Sequence, residues 1–260
     1  MIMIEKWRFI EDLNQPGSTN MAADYSVLKQ FRPGDSPVLR LYTWNRPTLS
    51  VGKNQKLGQI NLDWCRDSEI PIVRRITGGQ AVLHGNDITY SLVGDIKSHL
   101  FSGGILQTYQ IISTCFFQFF QKLGLSPVLQ PHSRRQRSAQ ASDVCFEVPS
   151  AFEILIDGRK IIGNAQRQTS VAFLQHGTIP IGDQVPLLIR VFKNISAETL
   201  YSKVTSLETL GVLEHHSLEK IWQLLIDSFQ EVFHICLHKQ SWSSEEMTAI
   251  AKETVVFQPL

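Results

Sequence analysis

The chain has 260 residues, of which 43% are hydrophobic and 19% are charged, with a formal net charge of +1 at pH 7. This length suits one large core, and so small a net charge gives no general argument for binding nucleic acid or a membrane surface. Long apolar runs are absent, and Glu5, Glu11 and Asp12 stand too early for a secretory signal. We therefore expect a single cytoplasmic domain that binds neither nucleic acid nor membrane.

Helices and strands are predicted in irregular order along the chain. Residues 18–30 have the apolar spacing of a helix that Ser18 or Thr19 would cap. A longer helix is predicted at 103–124, where apolar side chains recur at steps of three and four and Gly124 is placed to end it. Strands are predicted at residues 38–44, 70–76, 87–93 and 171–181.

The second half of the chain adds a hairpin and two helices. Asp157 and Gly158 form a two-residue turn signal between short apolar segments. Ser217 is placed to cap an amphipathic helix, and a short terminal helix is expected from Ser244. Because strands and helices do not alternate strictly, we predict an α+β fold with a largely antiparallel mixed β-sheet and flanking helices.

The four cysteines are widely spaced, so they predict neither a zinc site nor a disulfide framework. Cys115 lies inside the aromatic helix and is expected in the core. Cys236 follows an apolar helix and is expected to be structural, whereas Cys65 stands among charges and is expected to be exposed. No group of His, Asp or Glu has the spacing of metal ligands, and we expect no metal and no cofactor.

A glycine pair at Gly78-Gly79 marks the most unusual segment of the first half. Two adjacent glycines allow a backbone to approach a ligand closely and to present amide groups to a carbonyl or an anion. Arg74 and Arg75 precede the pair and His84 follows it. On spacing alone, a tight turn with solvated arginines is an equally good interpretation.

Three segments together are more specific than the glycine pair. The chain contains RRITGGQAVLH (74–84), GRKIIGNAQ (158–166) and QHGTI (175–179), in that order. In this combination it resembles the lipoate–protein ligase A / octanoyltransferase family, which shares a fold with biotin protein ligases. The likeness extends over nearly the whole chain through PGSTNMAAD (16–24), YTWNRPTLSVGKNQ (42–55) and TSLETLG (205–211). It therefore implies a catalytic domain of the biotin/lipoate protein ligase type.

Within that family, the chain is most similar to the octanoyltransferases that act on the glycine-cleavage H protein. These have a cysteine just before the lysine-bearing hairpin, and the matching residues here are Cys145 and Lys160. Asn164 departs from the pattern, in which serine is common. The resemblance implies transfer from octanoyl-acyl carrier protein to a lipoyl domain or H protein. Residues 236–260 are expected to be a short terminal helical extension, with no accessory C-terminal domain.

The chemistry of the two residues agrees with this assignment. A free cysteine is mostly a neutral thiol at pH 7, and a neighbouring lysine cation favours the nucleophilic thiolate. The two-residue turn pairs Leu155 with Lys160. If residues 145–155 formed one straight strand, Cys145 would lie about 33 Å from that pair. A catalytic pair therefore requires the chain to fold back, and Pro149 is a suitable place for the break.

The remaining expected site residues have supporting roles. Arg134, Arg135 and Arg137 form the only strong basic run, interpreted either as a solvated loop or as a docking site for an acidic acyl carrier protein. The other candidates are expected to bind the acyl substrate: Trp44, Arg75, Thr77, Gly78, Gly79, Ala81, His84, Gly163, Ala165 and His176.

Two other functions remain open at this point. In an ATP-dependent lipoate–protein ligase, Lys160 would contact an acyl-adenylate and Cys145 would be incidental. A non-catalytic binder of acylated carrier domains would need neither residue for chemistry. Cys145 and the expected lack of an accessory domain favour the transferase over the ligase, although ligases split across two chains keep the ligase open. The glycine-pair segment with its arginines and the Lys160 motif argue against the non-catalytic binder.

Overall fold

The structure is a computed structural model that describes residues 4–130 and 153–260. In these two ranges, twelve strands form three sheets. The strands are β1 (Glu5–Gln15), β2 (Val38–Trp44), β3 (Thr48–Val51), β4 (Ile72–Arg74), β5 (Val82–His84), β6 (Asp87–Asp95), β7 (Val128–Leu129), β8 (Ile154–Ile156), β9 (Arg159–Lys160), β10 (Gly163–Gln168), β11 (Ala172–Pro180) and β12 (Ile235–Lys239).

The largest sheet has six strands in the order β10-β11-β6-β2-β1-β12. The pairs β10–β11, β11–β6 and β6–β2 are antiparallel, whereas β1 pairs in parallel with both β2 and β12. The prediction of a largely antiparallel mixed sheet is therefore confirmed. Two smaller sheets, β4-β3-β5 and β7-β8-β9, lie beside it.

Seven helices in the described ranges pack around these sheets. They are α1 (Gly17–Gln30), α2 (Leu62–Asp67), α3 (Gly104–Lys122), α4 (Val185–Val191), α5 (Ala197–Lys203), α6 (Leu218–Phe233) and α7 (Ser244–Thr254). Each of the described helices is too short or too polar to cross a membrane.

Alternating side chains along the strands of the large sheet contribute to apolar cores on both of its faces. Leu41 and Phe173 pack against α3 and α6 on one face, while the next residues along the chain, Tyr42 and Leu174, point to the face that α1 covers. This alternation is the period of two that a sheet buried on both faces requires. Cys115 lies fully buried in the α3–α6 core, as predicted.

Several predicted elements match the structure closely, but the start of the first helix differs from the prediction. Strand β2 has the predicted bounds, and the Ser217 side chain caps α6 by accepting a hydrogen bond from the backbone N–H of Lys220. Helix α1 instead begins directly after Pro16, with no side-chain cap, so the capping role expected for Ser18 or Thr19 is wrong. Proline supplies a fixed φ that already suits a helix start.

The terminal segment contains a strand as well as the expected helix. Strand β12 adds to the edge of the large sheet beside β1, and α7 packs against α1. Cys236 lies on this edge strand and is exposed, so the prediction that it packs structurally is wrong. Cys65 is also corrected: it is only 1% exposed, because α2 turns it into an apolar cluster instead of toward the neighbouring charges.

The hairpin forms with the predicted register. Leu155 pairs with Lys160 and Ile156 with Arg159. Asp157 and Gly158 have φ values of 50° and 74°, the left-handed conformation that a two-residue hairpin turn requires. Glu153 directly precedes β8, so the hairpin brings its side chain to Lys160 on the facing strand. The hairpin thus places a carboxylate beside the lysine.

Candidate active site

A cavity of about 360 Å³, counted with its open mouth, lies between the large sheet, the β4-β3-β5 sheet and helix α1. Six of the ten predicted binding residues line it: Trp44, Arg75, His84, Gly163, Ala165 and His176. The other four, Thr77, Gly78, Gly79 and Ala81, belong to the segment that carries Arg75 but are not among the lining residues. The structure therefore brings segments from both halves of the chain to one cavity.

His84 is held between a carboxylate and a hydroxyl group. Its Nδ1 lies 2.8 Å from Asp87 Oδ2, and its Nε2 lies 2.9 Å from Ser50 Oγ. Burial lowers the pKa of His84 and favours the neutral ring. Because ionised Asp87 only accepts hydrogen bonds, the ring donates from Nδ1, and Nε2 accepts the Ser50 hydroxyl proton.

Asp87 keeps its charge although it is buried. Burial alone would raise its pKa, but His84 and the hydrogen bonds from Gly85 and Thr178 lower the pKa below its ordinary value. The carboxylate accepts from His84, from the Gly85 backbone N–H, and from the hydroxyls of Thr89 and Thr178. The donors to this carboxylate are thus a neutral ring, a backbone N–H and two hydroxyls.

His176 is the centre of a second carboxylate–histidine–hydroxyl chain of hydrogen bonds, which resembles the one around His84. Its Nδ1 lies 2.9 Å from Asp24 Oδ2, and its Nε2 lies 2.7 Å from Thr77 Oγ1. Asp24 also accepts from the Arg40 guanidinium and the Tyr42 hydroxyl, each at 3.0 Å. Burial would raise the pKa of Asp24, but the hydrogen bond from His176 and the charge of Arg40 lower it. This chain is therefore built around a buried ion pair.

Arg75 connects the two histidine chains. Its Nε donates to Thr77 Oγ1, and its Nη1 donates to the carbonyl oxygen and the hydroxyl of Ser50. Its Nη2 donates to the carbonyl oxygens of Gly78 and Gln80, at 2.8 and 2.7 Å. Arg75 is only 5% exposed, so the interpretation of this segment as a turn with solvated arginines is wrong for Arg75.

The same contacts orient the glycine turn. A trans peptide holds each carbonyl opposite the N–H of the following residue. Since the carbonyls of Gly78 and Gln80 face Arg75, the N–H groups of Gly79 and Ala81 point away from it. Gly79 has a φ of +87°, a conformation that a larger residue rarely adopts. The guanidinium thus fixes the direction of the turn's amide groups.

Trp44 forms an apolar part of the cavity wall. Its ring stacks on His84 with a centroid distance of 3.9 Å and an interplanar angle of 13°. Its indole N–H donates to Thr89 Oγ1 at 2.8 Å. The polar end of the indole is therefore satisfied, and its flat face holds the histidine ring in place.

Lys160 lies on β9, three residues before a residue of the cavity wall. Its Nζ is 2.5 Å from Glu153 Oε1, and both side chains are almost completely buried. Gly163 lines the cavity three residues further on, so its Cα lies within about 11 Å of the Lys160 Cα. The Lys160 carbonyl accepts from the Thr205 backbone N–H at 3.0 Å. A main-chain contact to Thr205 and a side-chain contact to Glu153 thus fix the buried lysine in the hairpin.

The other predicted site residues lie outside the described ranges. These are Cys145, proposed as the nucleophile, and the arginines Arg134, Arg135 and Arg137. Within residues 4–130 and 153–260, no three His, Cys, Asp or Glu side chains are grouped as a metal site.

Four side chains of the site were not among the predicted residues: Ser50, Asp24, Asp87 and Glu153. Asp87 follows His84 by three residues, and Glu153 stands in the motif that resembles the transferases, so both had a local signal. Asp24 meets His176 across 152 positions, a contact that no local pattern indicates.

A match to a known protein family agrees with this arrangement. The profile of the lipoyl protein ligase A/B catalytic domain matches residues 16–230. The octanoyltransferase LipM of Oceanobacillus iheyensis is 35% identical over 254 residues, which cover 94% of this chain and 91% of that protein. The octanoyltransferase LipM of Carboxydothermus hydrogenoformans is 35% identical over 252 residues, with 94% and 92% coverage.

The chain belongs to the lipoyl protein ligase A/B catalytic domain family. Since relatives that are 35% identical over most of both chains are acyltransferases, the protein is an acyltransferase. The bipartite lipoate protein ligase of Thermoplasma acidophilum has a TM-score of 0.79 at 20% identity, covering 96% of this chain and 92% of that one. A lipoate-protein ligase A bound with ATP gives 0.78 at 22% identity, with 97% and 95% coverage. These two similarities confirm the predicted fold.

Proposed function

We propose that the protein transfers an octanoyl group from octanoyl-acyl carrier protein to a lysine of a lipoyl domain or glycine-cleavage H protein, through a thioester on Cys145. The observation that carries the proposal is the buried Lys160, which pairs with Glu153 and lies three residues before Gly163 in the cavity wall. The relatives named octanoyltransferase, which match more than nine-tenths of this chain, support the octanoyl group.

In the first half-reaction, the Cys145 thiolate attacks the carbonyl carbon of the donor thioester. The new carbon–sulfur bond forms on Cys145, and the bond to the carrier sulfur breaks. The departing carrier thiolate takes a proton from the Lys160 ammonium, which leaves a neutral amine. A cation beside Cys145 serves the step twice, because it favours the thiolate first and then supplies the proton.

In the second half-reaction, the neutral amine of the acceptor lysine attacks the acyl-enzyme. The carbon–nitrogen bond forms, the carbon–sulfur bond to Cys145 breaks, and the nitrogen proton moves to Lys160. The product is an amide, and the thiolate–ammonium pair is restored. A thioester is a more reactive acyl donor than the amide that forms, so this route requires no ATP.

The cavity supplies the acyl binding site in this proposal. It is lined by side chains from both halves of the chain, among them Trp44, Val82 and Met21, which offer apolar contact to an acyl chain. Burying seven carbons at about 0.8 kcal/mol each gives roughly 5–6 kcal/mol, enough to select for chain length. The amides of the Arg75-held glycine turn would face the acyl carbonyl, and His84 and His176 would shape the wall rather than exchange protons with the substrate.

An intact-mass experiment without ATP tests the proposal. Mixing the protein with octanoyl carrier protein should add one octanoyl group to the enzyme, and apo lipoyl domain should then remove it. Cys145→Ser should abolish both the adduct and transfer, because an alcohol has no accessible anion at neutral pH. Transfer that depends strictly on ATP and free acid, with no adduct, would instead establish the ligase alternative. An adduct that never passes to an acceptor would contradict the transfer step.

Lys160→Ala tests the part of Lys160 in the proposed Cys145–Lys160 pair. We expect a loss of about 10²–10⁴-fold in transfer, as for a removed acid–base group, together with a higher pKa of the Cys145 thiol. The matched control is Lys160→Ala with Glu153→Gln, which removes the carboxylate that the first change leaves buried without its cation. If the double variant recovers stability but not activity, the loss is chemical and not structural.

The basic run at Arg134, Arg135 and Arg137 is proposed to dock the acidic carrier protein. Replacing all three with Ala should raise the apparent KM for the carrier and weaken its dependence on salt, because fewer exposed charges attract the partner. Unchanged kinetics at low ionic strength would mean that these arginines are only solvated.

A further inference from the structure

The wall of the candidate active-site cavity contains polar side chains whose hydrogen-bonding protons are used within the protein. Trp44 donates its indole N–H to Thr89 Oγ1 at 2.8 Å. The hydroxyls of Thr89 and Thr178 both donate to Asp87. The Tyr42 hydroxyl donates to a second buried carboxylate at 3.0 Å. All four donor side chains line the cavity, yet their protons are bound before any ligand enters.

The nitrogen atoms of the two lining histidines are used in the same way. His84 Nε2 lies 2.9 Å from Ser50 Oγ, and its Nδ1 lies 2.8 Å from Asp87. His176 Nε2 lies 2.7 Å from Thr77 Oγ1, and its Nδ1 faces a carboxylate at 2.9 Å. A ligand in the cavity therefore finds both rings already engaged by the protein.

Asn164 is the lining side chain that keeps some polar capacity. Its amide oxygen accepts from the Tyr90 hydroxyl at 2.9 Å, and its amide nitrogen has no acceptor in the ranges that the structure describes. It stands on β10, four residues after Lys160. The part of the wall that β3 and β5 supply has no such group among its described residues.

The Ser50 hydroxyl lies between two strongly polar groups of that β3–β5 wall and the neighbouring segment. It donates to His84 Nε2 at 2.9 Å and accepts from Arg75 Nη1 at 3.3 Å. All three side chains line the cavity and are at most 6% exposed. Without this hydroxyl, the wall would present a ring acceptor and a guanidinium donor side by side. The Ser50 hydroxyl thus masks both groups from the cavity.

We propose that Ser50 determines which acyl chains the cavity accepts: by masking His84 and Arg75, it admits an unsubstituted aliphatic chain and excludes one that carries a hydroxyl group. A hydroxyl that enters this part of the cavity loses its bonds to water and gains none to the wall, which weakens binding about tenfold or more. This inference rests on the proposed octanoyl transfer, and it adds which chains of the same length are refused.

A comparison of donor substrates tests the proposal. The full-length protein is given carrier protein loaded with octanoyl, 6-hydroxyoctanoyl or 8-hydroxyoctanoyl groups. In the proposed function the acyl carbonyl lies near Lys160 and the glycine turn, so carbons 6 and 8 reach the remaining wall. Transfer to apo lipoyl domain should have a kcat/KM at least about tenfold higher for octanoyl than for either hydroxylated chain. Equal values would overturn the proposal.

Binding of the free acids separates this inference from the proposed function. If no octanoyl group is transferred at all, the proposed function fails. Calorimetric titration with octanoate and with 8-hydroxyoctanoate still tests the cavity, because binding requires no transfer. Tighter binding of octanoate, by about tenfold, supports the specificity, and equal affinities would contradict it.

Ser50→Ala unmasks the two polar groups. A chain hydroxyl then takes the place of the lost oxygen, with His84 to accept from it and Arg75 to donate to it. We expect the ratio of kcat/KM for the hydroxylated chain to that for octanoyl to rise about tenfold for at least one of the two hydroxyl positions, as for one recovered hydrogen bond.

Val82 supplies matched controls, because it pairs with Ser50 across β3 and β5 and lines the same cavity. Val82→Ala adds room without unmasking a polar group, so it should change the ratio by less than about twofold. Val82→Thr adds a hydroxyl with little change of shape and should raise the ratio, which keeps the proposal testable should Ser50→Ala fail to fold. An equal rise in Ser50→Ala and Val82→Ala would mean that room alone admits the hydroxylated chain, and the proposal would be overturned. It would also be overturned if neither Ser50→Ala nor Val82→Thr raised the ratio.

Discussion

The two histidine chains of the cavity have the same geometry but different origins. His84 and Asp87 are three residues apart, and Ser50 comes from the strand paired beside them. His176, in contrast, meets Asp24 from α1 and Thr77 from the glycine segment, across 152 and 99 positions. The first chain stiffens one local wall, whereas the second ties a helix, a loop and the large sheet together.

The two chains also differ in charge. Asp24 pairs with Arg40, which is 1% exposed and is itself shared with Asp12. The donors to Asp87 are all neutral: the His84 ring, a backbone N–H and two hydroxyls. A buried cation that loses one of its two carboxylates loses part of its compensating charge, whereas a neutral donor loses only a hydrogen bond. The comparison therefore predicts unequal responses to the same substitution.

The largest expected difference follows from replacing each carboxylate by its neutral isostere. Asp24→Asn should lower the free energy of unfolding by about 3–5 kcal/mol, because Arg40 loses a buried counter-charge. Asp87→Asn should cost about 1–3 kcal/mol, because an amide oxygen still accepts from the hydroxyl donors. Urea denaturation at pH 7 measures both.

Adding Arg40→Met to Asp24→Asn is the control for this difference. The double variant should be more stable than Asp24→Asn alone, because a fully buried cation that keeps only the partly exposed Asp12 as its partner is gone. If Asp87→Asn proves as costly as Asp24→Asn, charge is not what distinguishes the two chains, and the comparison fails.

A smaller difference is expected for the two hydroxyls. Thr77→Val leaves both His176 Nε2 and Arg75 Nε without their bonds, whereas after Ser50→Ala Arg75 Nη1 still donates to the Ser50-position carbonyl. Each change should cost about 1–3 kcal/mol, with Thr77→Val the larger. The control is Thr114→Val, whose exposed hydroxyl bonds only within α3. Equal losses of stability in Thr77→Val and Thr114→Val would mean that the hydrogen bonds of the Thr77 hydroxyl with His176 and Arg75 do not stabilise the fold.

The contrast between local and long-range contacts also explains which features the sequence predicts. Strand β2, the hairpin register and the Ser217 cap depend on contacts within a few residues, and their prediction is confirmed. The motifs also indicated which segments meet at the cavity. The meeting of Asp24 with His176 depends on how α1 packs on the sheet. The burial of Arg75 likewise depends on carbonyls that only the folded turn presents.

Cys65 shows that local composition can also predict the burial of a residue wrongly. Its neighbours in sequence are charged, which predicts exposure, but one turn of helix is enough to direct a single residue inward while its neighbours face solvent. Local composition reports the average environment of a segment, and a short helix with a single buried position departs from that average. Whether such a residue is buried depends on how its helix packs against the neighbouring elements.

The smallest expected effect is a difference in pH dependence. Burial lowers the pKa of His84 below its ordinary 6.5, so the unfolded chain takes up a proton at a pH where the folded chain does not. Stability should therefore fall as the pH drops through about 6.5 toward the lowered folded pKa, with a slope for this one proton of at most about 1.4 kcal/mol per pH unit. Asp24 and Asp87 act in the same direction but at lower pH: their folded pKa values lie below 3.8, and their contribution is lost only as the pH falls through those values. Urea denaturation between pH 5 and 7.5 should thus give a flatter profile for His84→Gln than for wild type. Equal slopes in the two proteins would mean that the folded ring takes up its proton as readily as the unfolded one, and the Asp87–His84–Ser50 chain would then hold an imidazolium in place of a neutral ring.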